Sequence, residues 1–305
     1  MGDRLERIGR LAAVAQGLER EGAYNGAKLL RAVMESELVR HASEHAPSGG
    51  AAVAGALDDL LVELGDDLPA DLAALLPGIA DHVRSGRTIP LTDAPRTRVC
   101  RACGQVFLGE EPTTACPVCA APRLTYREMY PIWYLEPVSR DELLAGLEAG
   151  GLQVLAAVAG RSDEALAASP SPGEWSARQV LEHLSFAEGL FAERIGRLLD
   201  EDEPNLASRA VWAETPASDE GSTSTDLPAS ELAARVAAMR VERVAQLRAL
   251  PDHAWNRTGT HPEWGVVTVH TQAAYFGRHL ASHMAQLTAA ADGRLPGRRS
   301  YDSEA

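Results

Sequence analysis

The four cysteines of this 305-residue chain all fall in one short window, as Cys100-Arg101-Ala102-Cys103 and Cys116-Pro117-Val118-Cys119. No other feature restricts the local fold as tightly. Two Cys-x-x-Cys knuckles with twelve residues between them place four thiols where one tetrahedral metal can take them. Thiolate sulfur suits Zn or Fe, and Gly104 supplies the backbone angle that a knuckle turn needs. Two disulfides or four free thiols are the alternatives. The segment Met1-Gly2-Asp3-Arg4-Leu5-Glu6-Arg7 lacks the apolar core of a signal peptide, and no apolar run reaches membrane-spanning length. The expected compartment is therefore the cytoplasm, where disulfides are rare.

A second constellation lies near the other end. His279 and His283 are four residues apart, so on a helix they project from one face one turn apart. Phe276, Leu280, Met284 and Leu287 run alongside, which makes that face core-directed. Upstream, Val180, Leu184, Ala187, Phe191, Ile195 and Leu198 form another apolar line, with His183 beside it. Neutral imidazoles on such faces either hold a metal or are core histidines satisfied by backbone carbonyls. A net charge of −14, with no basic run of five or more, argues against nucleic acid as a partner.

The periodicity predicts a mainly α protein. Residues 1–95 read as an all-α domain. Its first two helices are marked by Leu5, Ile8, Leu11 and Leu18 and by Tyr24, Ala27, Leu30, Met34 and Leu38, and shorter helices follow around 51–64 and 69–84. Residues 96–128 are the cysteine module, and 129–140 an aromatic, proline-punctuated linker arm. Residues 141–292 carry four helical patterns, and 293–305 are a tail. Ser139 and Ser176 are placed to cap the first two of those patterns. Gly150-Gly151 either weakens the first helix or lets it pack closely. The acidic, Ser/Thr-rich stretch from Asp200 to Pro228, with Trp212 inside it, is a long crossover of the kind that often forms a lid. Four helices with one long crossover make a four-helix bundle.

Two resemblances follow from these residues. Cys100, Cys103, Gly104, Val106, Gly109, Cys116, Pro117, Cys119 and Pro122 closely resemble the rubredoxin-like module of rubrerythrins. That implies a one-metal, four-Cys site over about thirty residues. Residues 21–42 resemble the first helices of the same proteins, but Glu37 and His41 are four apart rather than three and no second Glu-x-x-His pair accompanies them. The diiron centre that would accept electrons from the module is thus incomplete, which favours structural zinc over iron. Over about 150 residues the C-terminal half resembles the DinB/YfiT-like superfamily. The resemblance is carried by Trp175-Ser176 through His183-Leu184, by His261-Pro262-Glu263-Trp264-Gly265 through Thr268, and by His279-x-x-x-His283-x-x-Gln286. It implies a four-helix bundle holding a divalent metal, such as Ni, Zn or Mn, on His183, His279 and His283.

Three neutral histidines leave a ligand position open, as catalytic sites do, where water or a thiolate could bind. The superfamily includes thiol-dependent S-transferases and isomerases as well as proteins described as metal-dependent hydrolases. The expected partner is a small molecule, such as a low-molecular-weight thiol, and the resemblance adds a homodimer. Arg243 is placed either to meet a substrate carboxylate or to serve as an ordinary salt-bridged arginine. His261, Glu263 and Trp264 either line the mouth of the site or pack as a turn. Three classes of function stay open: a metal-dependent transferase or hydrolase, a rubredoxin-like iron electron carrier in oxidative stress, and a non-catalytic scaffold held by its metals.

Overall fold

The computed structural model describes residues 2–47, 49–64, 68–87, 94–109, 115–206 and 227–295. The chain divides into two compact units, with the boundary between Ala56 and Leu57. In the first, α1 (Gly2–Arg20) and α2 (Tyr24–His45) form a helical hairpin. Gly22 turns it at φ 75°. Ion pairs Arg4–Glu44 and Arg31–Glu19 fix the two helices as antiparallel. Small residues let them approach, since Ala15 and Ala27 are buried and a Cβ on Gly26 would meet Leu18 Cδ1 at 3.3 Å. Glu37 faces Arg4 and Arg40 at 3.7 and 3.8 Å, and His41 stacks on His45. These partners are guanidinium groups and a ring, not a second carboxylate.

α3 (Gly50–Leu64) carries the chain into the second unit, and α4 (Ala70–Arg84) follows. Arg84 pairs with Asp58 and Asp81. The cysteine module is a three-stranded antiparallel sheet of β1 (Thr97–Cys100), β2 (Val106–Leu108) and β3 (Tyr126–Met129), in the order β2-β1-β3. Its register puts Cys100 opposite Tyr126.

The bundle comprises α5 (Arg140–Val158), α7 (Ala177–Asp200), α8 (Ala229–Arg248) and α9 (Val269–Ala291), with a short α6 (Asp163–Ala167) after α5. The sequence starts these helices with side-chain caps. Ser139 with Glu142, Ser176 with Gln179, and Thr268 with Thr271 each form a reciprocal capping box. Side-chain contacts give the directions. Gly277 packs against Leu143 and Leu147 while Gly150 packs against Leu280, so α5 and α9 are parallel. Arg140 reaches Asp252, and Gly151 lies against Ala237 and Arg240, so α5 and α8 are antiparallel. His183 meets His283, and Phe191 stacks on Phe276, so α7 and α9 are antiparallel. The topology is therefore up, down, down, up. Consecutive parallel helices α7 and α8 need a connection that returns along the whole bundle, which is the physical reason for the long link between them. Residues 207–226 of that link, including Trp212, lie outside the described residues.

The Gly150-Gly151 pair serves close packing. A Cβ on Gly150 would stand 2.9 Å from Leu280 Cδ2, and one on Gly151 would stand 3.4 Å from Arg240 Cβ. Two groups of apolar side chains fill the bundle, one around Leu181, Leu184, Leu232 and Leu287, the other around Phe191, Leu198, Trp255 and Phe276. Between α8 and α9 the chain makes a hairpin of β4 (Thr258–His261) and β5 (Gly265–Thr268), where the sequence suggested only a turn. Gly259 allows it to sit down: a Cβ there would lie 2.8 Å from both Pro204 O and Leu198 Cδ2.

Candidate metal centres

The four cysteine sulfurs converge, with all ligand atoms within 4.8 Å of one another. Cys100 and Cys119 are 3.8 Å apart, as are Cys103 and Cys116. That is far beyond a disulfide bond and matches the ~3.8 Å edge of a tetrahedron with sulfur about 2.3 Å from its centre. The knuckle turns aim N–H groups at the sulfurs. Burial pushes the Cys100 thiol up, but the N–H groups of Cys103 and Ala102 and the Thr125 hydroxyl outweigh it and bring it down to about 6. Cys119 goes the other way: the Ala121 N–H lowers it, but desolvation and the sulfurs of Cys103, Cys116 and Cys100 outweigh that and push it up to about 12. Four sulfurs this close ionise together only around a cation. Cys100 and Cys116 are buried, while Cys103 and Cys119 are exposed.

His183 from α7 and His279 and His283 from α9 form the second cluster, again with ligand atoms within 4.8 Å. His183 Nε2 and His279 Nε2 are 3.1 Å apart. Two nitrogens about 2.0–2.1 Å from one metal stand about 2.9 Å apart at a right angle and about 3.3 Å apart at a tetrahedral one, so the observed spacing fits a shared cation. Burial holds the His279 imidazole well below its ordinary pKa, with His283, His183 and Arg240 adding to the effect, so this ring stays neutral. His283 Nδ1–H donates to Gln286 Oε1 at 2.9 Å, which leaves its Nε2 lone pair for a ligand.

Aromatic rings enclose the cluster. Trp175, just before the α7 cap, lies parallel to His283 at 6.4 Å between centroids and 5.3 Å from His183. Tyr275, one turn before His279, stacks on it at 5.9 Å. Tyr134 approaches His279 edge-on at 6.4 Å. It comes from the linker arm, which Arg278 fastens by donating to the carbonyls of Trp133, Tyr134 and Glu136.

The other residues singled out in the sequence lie elsewhere. Arg243 is buried, donates to Gln246 and sits over the Phe191 ring at 5.9 Å. It adds to the positive field at Glu188, whose partner is Arg240 at 2.5 Å. His261 and Trp264 stack at 3.8 Å in the hairpin, and Trp264 touches Tyr275 at 4.5 Å, so the hairpin is one ring removed from His279. Burial raises the Glu263 carboxyl above the usual range. Sequence reasoning did not assign roles to Tyr134, Trp175, Tyr275 or Gln286. Two of them carry a spacing signal, since Tyr275 precedes His279 by four residues and Gln286 follows His283 by three.

Comparison with known proteins gives a solved structure and a family model. A solved structure, that of YfiT from Bacillus subtilis, described as a probable metal-dependent hydrolase with an unusual four-helix bundle topology, matches at 25% identity and a TM-score of 0.43, over 53% of this chain and 95% of that one. No curated protein matches. Among the described residues, no helix is long and apolar enough to cross a membrane. The family model described as the DinB superfamily matches residues 146–287, the span that contains His183, His279 and His283. The bundle at residues 146–287, a little under half of the chain, is thus similar to the DinB superfamily.

Proposed function

We propose that the chain is a metal-dependent enzyme in which His183, His279 and His283 hold a divalent Ni, Zn or Mn ion and act on a small molecule, by thiol transfer or by hydrolysis. The observation that carries this reading is the convergence of three imidazoles, two with Nε2 atoms 3.1 Å apart and the third oriented by Gln286. A divalent cation held there is a Lewis acid that can activate a thiol or a water near neutral pH. The protein's own groups do the rest. Gln286 fixes the His283 tautomer, and Trp175, Tyr134 and Tyr275 line the ring cluster. No protein carboxylate joins the three rings in the ligand cluster among the described residues, so a ligand position is left for substrate.

In this reading the four-Cys site holds structural zinc, the protein works in the cytoplasm as a homodimer, and neither nucleic acid nor membrane is a partner. The exposure of Cys103 and Cys119 favours a second reading, iron-based electron transfer, because exposed sulfur lets an outside partner come close. One measurement separates them: metal content per chain with the visible spectrum of the same sample. Zinc at the cysteines plus an exchangeable divalent ion lost in His279→Ala supports the enzyme. Thiolate-to-iron absorbance that bleaches on reduction supports the electron carrier. A histidine cluster that refuses added metal sinks the catalytic assignment and leaves a scaffold.

A further inference from the structure

The bundle buries three arginines, Arg194, Arg240 and Arg243, and the first two are treated differently. Arg240 is 1% exposed and has a carboxylate, Glu188, which is 2% exposed. Its Nη2 also donates to Phe276 O at 2.7 Å. Arg194 is 4% exposed and forms no ion pair with a described carboxylate. Its Nε is buried without any hydrogen-bond partner. Its Nη2 faces His261 Nε2 at 3.3 Å. That imidazole is a poor acceptor, because the N–H groups of Glu263 and Trp264 both point at its Nδ1, each at 3.3 Å. A neutral imidazole has one lone pair in the ring plane, so three N–H donors compete for it. Ring faces complete the surroundings, with the guanidinium 5.7 Å from the Trp264 centroid and 5.9 Å from that of Phe276. A buried cation with unmet donors and no ion-pair partner among the described residues is retained at a cost to stability.

We propose that Arg194 anchors an anion subsite that receives the carboxylate of a small-molecule substrate. The subsite connects to the histidine cluster through rings in contact: Trp264 meets Tyr275 at 4.5 Å, and Tyr275 stacks on His279 at 5.9 Å. A carboxylate has the two in-plane acceptors that Nε and Nη2 of one guanidinium match. Trp264 lies near the guanidinium and Tyr275 against Trp264, so an apolar body attached to that carboxylate meets aromatic carbon. As a statement of substrate class this rests on the metal-dependent reading above. Anion binding itself needs no metal, so the two can fail separately.

The test is calorimetric titration of the full chain with sodium benzoate, with benzyl alcohol as the uncharged analogue and inorganic phosphate as a competing anion, before and after chelation. Saturable benzoate binding is expected in both states, with none for benzyl alcohol. Arg194→Met should weaken it at least about tenfold, the loss of a charge-assisted hydrogen bond, and Arg194→Lys should fall between. The melting temperature of Arg194→Met should equal or exceed that of the parent, because an uncompensated buried charge is gone. The idea is overturned if benzoate binds equally well to Arg194→Met, or if the parent does not bind it. It is also overturned if Arg194→Met melts well below the parent and Glu263→Gln does the same, which would make Glu263 the missing counter-ion and Arg194 structural. Binding seen only in metal-loaded protein and lost in His279→Ala, but not in Arg194→Met, would place benzoate on the metal. That outcome would end this inference and leave the metal reading standing.

Discussion

His183 Nε2 and His279 Nε2 lie 3.1 Å apart, from helices that run in opposite directions. Without a cation, one proton has to sit between them, and the two rings are held in different tautomers. With a cation, both present the same lone pair. Ligand binding therefore replaces an asymmetric contact by a symmetric one. His279→Ala should abolish binding of added Ni, Zn or Mn at this cluster while leaving one metal per chain at the cysteines, read by metal content after dialysis. Thermal stability of the metal-free protein should change little, and the added stability that metal gives the parent should vanish.

Gln286 orients His283 through a 2.9 Å hydrogen bond. Gln286→Leu should keep the fold and weaken metal affinity by about 10- to 100-fold, the usual range for a residue that fixes a ligating histidine. Competition with a chromophoric chelator measures it. An unchanged affinity would mean that the His283 tautomer is set by something else.

His261 gives the hairpin a pH signature. Burial, aided by the positive Arg194, lowers its pKa from 6.5 to about 3. The unfolded chain takes up a proton near 6.5 and the folded one does not until about 3. Its contribution to stability is thus full above 6.5 and is lost as pH falls through that window. The expected slope is about 1.4 kcal/mol per pH unit. Comparing denaturant melts of the parent and His261→Gln from pH 7 to pH 4 isolates it, since the variant should lack that part of the acid limb.

The Glu188–Arg240 pair inside the bundle is predicted to be replaceable as a pair but not singly. Glu188→Leu alone leaves a second uncompensated guanidinium and should cost about 3–5 kcal/mol, whereas Glu188→Leu with Arg240→Met should be near neutral or stabilising. The difference is read from chemical denaturation of the two variants.

Much of the site was legible in the sequence because it depends on short-range spacing. The knuckles, the His279/His283 pair, the Ser139 and Ser176 caps and the helices at 50–64 and 70–84 are all statements about residues within one or two turns of each other. What brings Tyr134 to His279, or Trp264 to Tyr275, is tertiary packing across more than a hundred residues in the first case and a hairpin in the second. Strands of four residues carry too few alternations to reveal that hairpin. Arg194 follows Phe191 by three residues and precedes Leu198 by four, so its spacing puts it on the apolar face of α7. That no described carboxylate pairs with it there is set by tertiary packing.

Arg278 gathers carbonyls of the 133–137 arm onto α9, one position before the ligand His279. Part of the wall around the histidines is therefore encoded upstream of the matched span 146–287. A fragment trimmed to that span would keep all three histidines and lose Tyr134, Ser139 with its capping box, and Leu143. Its rings would open to water on one side, and α5 would start frayed. A piece that keeps Tyr134 and the carbonyls that Arg278 holds has to begin ahead of Trp133, so the matched span and the ring wall do not share a boundary.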